Sequence, residues 1–179
     1  MDYPEAQAIL NEFVKGENLQ RHCYSVSYVM KAYADKLGED QEEWAIAGLL
    51  HDADYEKYPE NHPDLIVQLL RERGEHKIAH AISAHYTKWG QSYDNKLDKY
   101  LLAVDELTGF IIAASLMRPS GLDGMSPKSV KKKLKTRGFA AGVDRDEIYK
   151  SLEIADIDLD THISFIISVL QDKHKELDL

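Results

Sequence analysis

Three histidines and one aspartate stand at helical spacing from apolar residues, which turns their side chains toward the protein interior. They are His22, His51, His85 and Asp105. A buried carboxylate such as Asp105 is costly unless a cation compensates it, and we find no matching inward lysine or arginine. Each residue alone is compatible with an ordinary hydrogen-bonded position in a core. Together they predict a bound divalent metal ion, because imidazole and carboxylate are its usual ligands.

The elements that must position these residues are helices. Apolar residues recur every three or four positions, and capping residues or glycines separate the runs. The predicted helices cover 4–15, 18–37, 40–51, 63–72, 75–87, 97–117, 126–137, 144–153 and 158–176. No segment shows the alternation of a strand. We therefore predict an all-α fold, a single bundle of about eight or nine helices.

Composition narrows the class of protein further. With 179 residues and 44% hydrophobic content, the chain suits one domain over residues 1–179. A net charge of -9 argues against binding duplex nucleic acid. The single Cys23 and an N-terminus without a signal-peptide pattern predict a cytoplasmic protein. No apolar run is long enough to suggest a membrane partner.

The order of the polar residues resembles a known family. His22, the adjacent pair His51-Asp52 in "GLLHDADYEKYP", and Asp105 match the H…HD…D signature of the HD superfamily of metal-dependent phosphohydrolases. The segments "VDELTGFI", "RP", "SVKKKLK" and "FA" are similar to a group of uncharacterised HD hydrolases. The resemblance implies a metal-binding core at about 20–115, with C-terminal helices at 126–176 packed on it.

The resemblance also implies one or two metal ions. Mononuclear members use a set that corresponds here to His22, His51, Asp52 and Asp105. Binuclear members add a histidine at the start of the next helix and another at the end of the helix after it, which His62 and His85 match. Asp52 would then bridge two ions, drawn from Mn, Co, Ni, Zn, Mg or Fe. His62 is also compatible with a solvated position at the start of its helix.

The implied reaction is hydrolysis of a small phosphorylated molecule, such as a nucleotide, by a metal-activated water. Besides Asp52, we predict catalytic roles for Glu56 and Lys57, which follow the His-Asp pair. Asp54 is placed to support a metal ligand. Phosphate contacts are predicted for four basic residues, Lys88, Arg118, Lys128 and Lys132.

Two other functions are compatible with the same residues. Six-ligand HD sites also occur in di-iron oxygenases, and His and carboxylate ligands suit iron. A non-catalytic module that senses a nucleotide or a metal would bind without turnover. Nothing in the sequence indicates the oligomeric state.

Overall fold

The computed structural model describes all 179 residues, and every regular element in it is helical. The ten α-helices are α1 (Tyr3–Phe13), α2 (Glu17–Leu37), α3 (Gln41–Leu50), α4 (Asp64–Glu72), α5 (His76–His85), α6 (Lys96–Leu116), α7 (Pro127–Leu134), α8 (Arg145–Ala155), α9 (Leu159–Asp172) and α10 (His174–Leu177). A short 3-10 turn, Thr87–Trp89, lies between α5 and α6. Nine of the ten helices have at least seven residues. The all-α prediction is confirmed.

Local chemistry explains where several helices begin and end. Asn95 and Ser126 precede α6 and α7, and each side chain accepts a hydrogen bond from the backbone amide three residues later. Asp40 caps α3 by accepting from the amides of Glu42 and Glu43. Gly38 ends α2 in the left-handed conformation (φ 69°, ψ 30°), which glycine adopts at little cost.

The structure corrects the predicted ends of two C-terminal helices. The segment predicted as one helix over 158–176 is two helices, because the chain turns at Lys173 and the short α10 then buries Leu177. Helix α7 ends at Leu134 rather than near 137. The turns that follow it bring Phe139 against Phe110 of α6, with ring centroids 5.3 Å apart.

Two long helices, α2 and α6, form the centre of the bundle. Helix α2 packs against α3, α6 and α9, while α6 also packs against α5 and α8. A cluster of 42 buried hydrophobic residues extends from Ala6 to Leu177, so the N-terminal and C-terminal helices share one core. None of the helices has the length and apolar character needed to cross a membrane.

Candidate metal centre

Side chains from five segments of the chain converge beside the central pair of helices. His22 projects from the second turn of α2, and His51 caps α3 with Asp52 directly after it. His85 is the last residue of α5, and Asp105 lies midway along α6. His62 lies in the turns that precede α4. All six predicted metal ligands therefore meet, and they form two groups that share Asp52.

The first group contains His22, His51, Asp52 and Asp105. The Nε2 atom of His22 lies 2.9 Å from Oδ1 of Asp105 and 3.1 Å from Nε2 of His51. The Nε2 atom of His51 lies 3.2 Å from the same Oδ1 atom. Ligand atoms that surround one ion at bond lengths of about 2.0–2.1 Å lie about 2.9–3.4 Å from each other. The spacing in this group fits a single ion.

The second group contains Asp52, His62 and His85. Oδ1 of Asp52 lies 3.3 Å from Nε2 of His62 and 3.8 Å from Nε2 of His85. The other oxygen of Asp52, Oδ2, faces the first group, at 3.7 Å from Nε2 of His22 and 3.6 Å from Nε2 of His51. Each carboxylate oxygen of Asp52 thus faces a different group, as a bridging ligand would.

Hydrogen bonds at the opposite ring nitrogens orient three of the imidazoles. Nδ1 of His51 donates to the carbonyl oxygen of Gly48 at 2.8 Å, and Nδ1 of His85 donates to that of Ile82. A carbonyl only accepts, so Nδ1 carries a proton and Nε2 is the ring nitrogen that would bind a metal in its deprotonated form. Nδ1 of His62 instead contacts Oδ1 of Asp54 at 2.7 Å.

Asp54 is fully buried, and its two oxygens have different partners. Oδ1 contacts His62, and Oδ2 accepts from the backbone amide of Ile66 at 3.0 Å. This carboxylate fixes the His62 ring relative to the first turn of α4. The geometry agrees with the prediction that Asp54 supports a metal ligand.

The ionised groups stabilise each other despite their burial. Burial alone would lower the pKa of His51, but the carboxylates of Asp52 and Asp105 raise that pKa to about 9. Burial would raise the pKa of Asp52, but His51 and His85 lower it to about 2. The imidazoles of His51 and then His22 hold the pKa of Asp105 well below its usual range. Both aspartates are therefore carboxylates at neutral pH, the form that binds metal.

Two glycines allow the close approach of these elements. A Cβ atom at Gly48 would lie 2.9 Å from backbone atoms of Val26 and Ser27, so α3 could not pack as closely on α2 with any larger residue. A Cβ atom at Gly109 would lie 3.4 Å from two atoms of the His22 ring. Gly109 is one helical turn after Asp105 and makes room for the imidazole beside it.

A cavity of about 570 Å³ opens above the two groups. Lys88 is the one lysine or arginine that lines it, whereas Glu106, Asp144 and Glu147 add carboxylates beyond the ligands. Burial, with the negative charges of Asp105 and Glu147, raises the pKa of Glu106 to about 8. Glu106 is therefore largely protonated at neutral pH, and Asp144 and Glu147 supply the negative charge of the wall beyond the ligand aspartates.

Two residues predicted to be catalytic do not line this cavity. The carboxylate of Glu56 accepts hydrogen bonds from the amides of Lys15 at 3.0 Å and Gly16 at 2.8 Å. It thereby holds the connection between α1 and α2. The Nζ atom of Lys57 lies 5.5 Å and 5.4 Å from the ring centroids of Phe13 and Tyr58. The structure assigns these two side chains to local packing, which corrects the expectation for Glu56 and Lys57.

The three basic residues predicted downstream of Asp105 also lie away from the metal centre. Helix α6 continues for eleven residues beyond Asp105 to Leu116, which is roughly 16 Å of helix, before the chain reaches Arg118. Arg118 and Lys132 line a different cavity, and Lys128 lines neither. Of the four predicted phosphate ligands, the structure brings only Lys88 to the metal centre.

Sequence reasoning missed the contribution of the segment 142–147. Gly142, Val143, Asp144 and Glu147 line the cavity, since α8 packs against α6. Arg145 organises the preceding loop by donating to the carbonyl oxygens of Ala140 and Val143 at 2.8 Å and 2.7 Å. Glu106 was missed too, although its position next to Asp105 in the sequence could have indicated that it lies near the metal centre.

The family model described as HD domain matches residues 19–119. This range includes all six candidate ligands and ends before the segment 142–147. A search of curated proteins found no match, and a search of solved structures found none.

Proposed function

The chain belongs to the HD-domain family, and we propose that it is a metal-dependent phosphohydrolase acting on a small phosphomonoester or phosphodiester. The observation that carries this proposal is the position of Asp52, whose two carboxylate oxygens face separate groups of ligand atoms. One ion would be held by His22, His51, Asp52 and Asp105. The other would be held by Asp52, His62 and His85.

Divalent ions bound at these groups would supply a water of lowered pKa and would polarise a phosphoryl oxygen. The protein's own residues prepare the site for that chemistry. Hydrogen bonds to Gly48, Ile82 and Asp54 fix three imidazole rings, so the ligand set requires little reorganisation when an ion binds. Of the remaining three ligands, Asp52 and Asp105 are ionised carboxylates, which would balance part of the metal charge.

Lys88 has the position expected of a phosphate-binding residue. It lines the cavity from the turn that follows His85, and its Nζ atom lies 5.3 Å from the ring centroid of Tyr86. As a flexible ammonium group it can reach a phosphate oxygen that is held at the ions. We assign it to binding and orienting the substrate.

The cavity also constrains the class of substrate. A volume of about 570 Å³ accommodates a molecule as large as a nucleotide. Two carboxylates outside the ligand set, Asp144 and Glu147, repel additional negative charge on the part of the substrate that does not react, whereas its raised pKa leaves Glu106 largely uncharged at neutral pH. We infer that the preferred substrate carries one phosphate group attached to a neutral or cationic portion.

The proposal is tested by measuring metal content and hydrolysis on the same protein samples. Protein loaded separately with Mn, Co, Ni, Zn or Mg is analysed by elemental mass spectrometry and assayed with p-nitrophenyl phosphate and bis-p-nitrophenyl phosphate. We expect up to two ions per chain and turnover of at least one ester. Asp52→Ala should lose both ions and the activity while it keeps its helical circular dichroism spectrum.

Glu56→Gln is the matched control, because this carboxylate lies outside the cavity and the amide oxygen can still accept from one of the two backbone amides, Lys15 or Gly16. It should keep both the metal content and the activity. Normal metal content in Asp52→Ala would contradict the ligand assignment. Two irons with dioxygen consumption would instead support an oxygenase, and metal binding with no turnover of any ester would support a sensing module.

A further inference from the structure

A second cavity with the opposite charge lies at the far end of α6. It has a volume of about 410 Å³ and is lined by three cationic side chains, Arg118, Lys132 and Lys133. No aspartate or glutamate lines it. In a chain with net charge -9, such a concentration of positive charge is unusual. We name this the basic cavity.

The cations of the basic cavity have no carboxylate partners. The ion pairs formed by lysine or arginine elsewhere in the protein include Lys131 with Asp160 on the neighbouring helix, but none involves Arg118, Lys132 or Lys133. Lys133 contacts an aromatic ring instead, with its Nζ atom 4.7 Å from the centroid of Phe139. Positive charge that no carboxylate pairs with attracts an anion to the cavity.

The guanidinium of Arg118 is held in place from one side only. Its Nη2 atom donates to the carbonyl oxygen of Asp123 at 2.7 Å and to Oγ of Ser120 at 3.1 Å. Its Nη1 atom is buried and has no hydrogen-bond partner in the protein. An arginine fixed in this way retains donor capacity, and a phosphate oxygen is a strong acceptor for it.

The remaining walls suit the organic part of a ligand. Ala114, Met125 and Val130 form an apolar surface, and the hydroxyl-bearing residues Ser129 and Thr136 lie beside the lysines. Pockets of roughly 300–1,000 Å³ hold small molecules, and this cavity falls within that range. Three positive charges in this space match an anion with several negative charges better than a single carboxylate.

We propose that the basic cavity binds a soluble small molecule bearing more than one phosphate group. The site is distinct from the metal centre, since roughly 16 Å of α6 lies between Asp105 and the end of the helix. The proposal for the basic cavity therefore does not depend on the proposed hydrolase function. A ligand here contacts the C-terminal end of the helix that carries Asp105.

Isothermal titration calorimetry with pyrophosphate on the full chain tests this site in 0.15 M salt. Lys132→Glu is the preferred variant, because Lys132 is exposed and pairs with no carboxylate, so the fold should not depend on it. We expect the Kd for pyrophosphate to rise at least about tenfold in this variant. Lys128→Glu makes the same charge change one helical turn away, outside the cavity, and should raise Kd by at most about threefold.

Three results would overturn the proposal. The first is no binding of pyrophosphate to the wild-type protein. The second is equal weakening in Lys132→Glu and Lys128→Glu, which would indicate a diffuse field rather than a site. The third is loss of binding in Asp52→Ala, which would place the anion at the metal centre. Cosedimentation with phosphatidylserine vesicles distinguishes a lipid headgroup: sedimentation that Lys132→Glu abolishes, without pyrophosphate binding, would also overturn the small-molecule site.

Discussion

The metal centre and the basic cavity carry opposite charges, although helix α6 contributes residues to both. Around Asp105, carboxylates outnumber the single Lys88, and the imidazoles present their Nε2 atoms to a common point. In the basic cavity, Arg118, Lys132 and Lys133 lie together with no acidic residue in the lining. A cation completes the first site and an anion completes the second.

The surroundings of a lysine decide which ligand it can bind. Lysines 88 and 132 are both exposed and both lie near a helix terminus, yet one is surrounded by carboxylates and the other by cations. Under the proposed function, Lys88 would therefore be the only positive side chain of the cavity for a phosphate at the metal ions. Lys132 instead lies in the basic cavity, whose proposed affinity for a phosphorylated ligand depends on positive charge.

The largest expected effects come from dividing the metal centre into its two groups. His22→Ala removes a ligand of the first group only, and His62→Ala removes a ligand of the second group only. Each variant should retain close to one ion where the wild type holds two, with hydrolysis reduced at least about a hundredfold. Elemental mass spectrometry measures the ions, and pyrophosphate binding in the basic cavity should remain unchanged. Loss of both ions in His62→Ala would argue against separate sites.

Acid should affect the fold through His162, which belongs to neither cavity. This buried imidazole contacts the Tyr33 hydroxyl at 2.5 Å through Nδ1 and the Ala103 carbonyl oxygen at 3.0 Å through Nε2. Burial lowers its pKa to about 4, against an unfolded value near 6.5. Between these values the unfolded chain binds more protons, so the free energy of unfolding falls as the pH falls.

The expected loss attributable to His162 is about 2 kcal/mol between pH 7 and pH 5. Urea unfolding of the wild type and of His162→Gln at both pH values isolates this contribution, because glutamine does not titrate. The difference in unfolding free energy between the two proteins should shrink by about that amount at pH 5. An unchanged difference would show that His162 does not control the acid response.

The helices were predictable because their ends are encoded locally. Gly38 and Ser126 mark boundaries through glycine conformation and side-chain capping, and both act within one turn. The inward direction of His22 and Asp105 followed from helical periodicity alone. His62 is different, because it lies in turns and only the resemblance to HD proteins indicated it.

Longer-range features could not be predicted in the same way. Glu106 acquires its raised pKa from burial and from Glu147, which reaches it only because α8 packs on α6. The acidic wall therefore depends on residues about forty positions apart in sequence. The predicted phosphate contact by Arg118 did not take account of the continuous helix after Asp105, which separates this residue from the metal centre.

Two lysine variants compare a residue that lines the metal-centre cavity with one on the surface outside it. Lys88→Gln removes the one cation that lines the metal-centre cavity, whereas Lys57→Gln removes an exposed cation packed near Phe13. We expect KM for a phosphomonoester to rise about tenfold in Lys88→Gln, since one charged hydrogen bond is lost. Lys57→Gln should keep the wild-type KM and kcat. A similar change in both variants would indicate general attraction rather than contact with phosphate.

The smallest expected effect tests how tightly the metal centre is packed. Gly109→Ala places a methyl group 3.4 Å from the His22 ring, so the imidazole must move by a few tenths of an ångström. Gly142 also lines the cavity, but a Cβ atom there meets nothing within 4 Å. We expect Gly109→Ala to weaken metal binding by roughly threefold to tenfold, a loss of about 1 kcal/mol, through displacement of one ligand. Gly142→Ala should bind metal like the wild type. Competition with a chromogenic chelator measures both affinities, and equal affinities would mean that the His22 ring adjusts without leaving its position as a ligand.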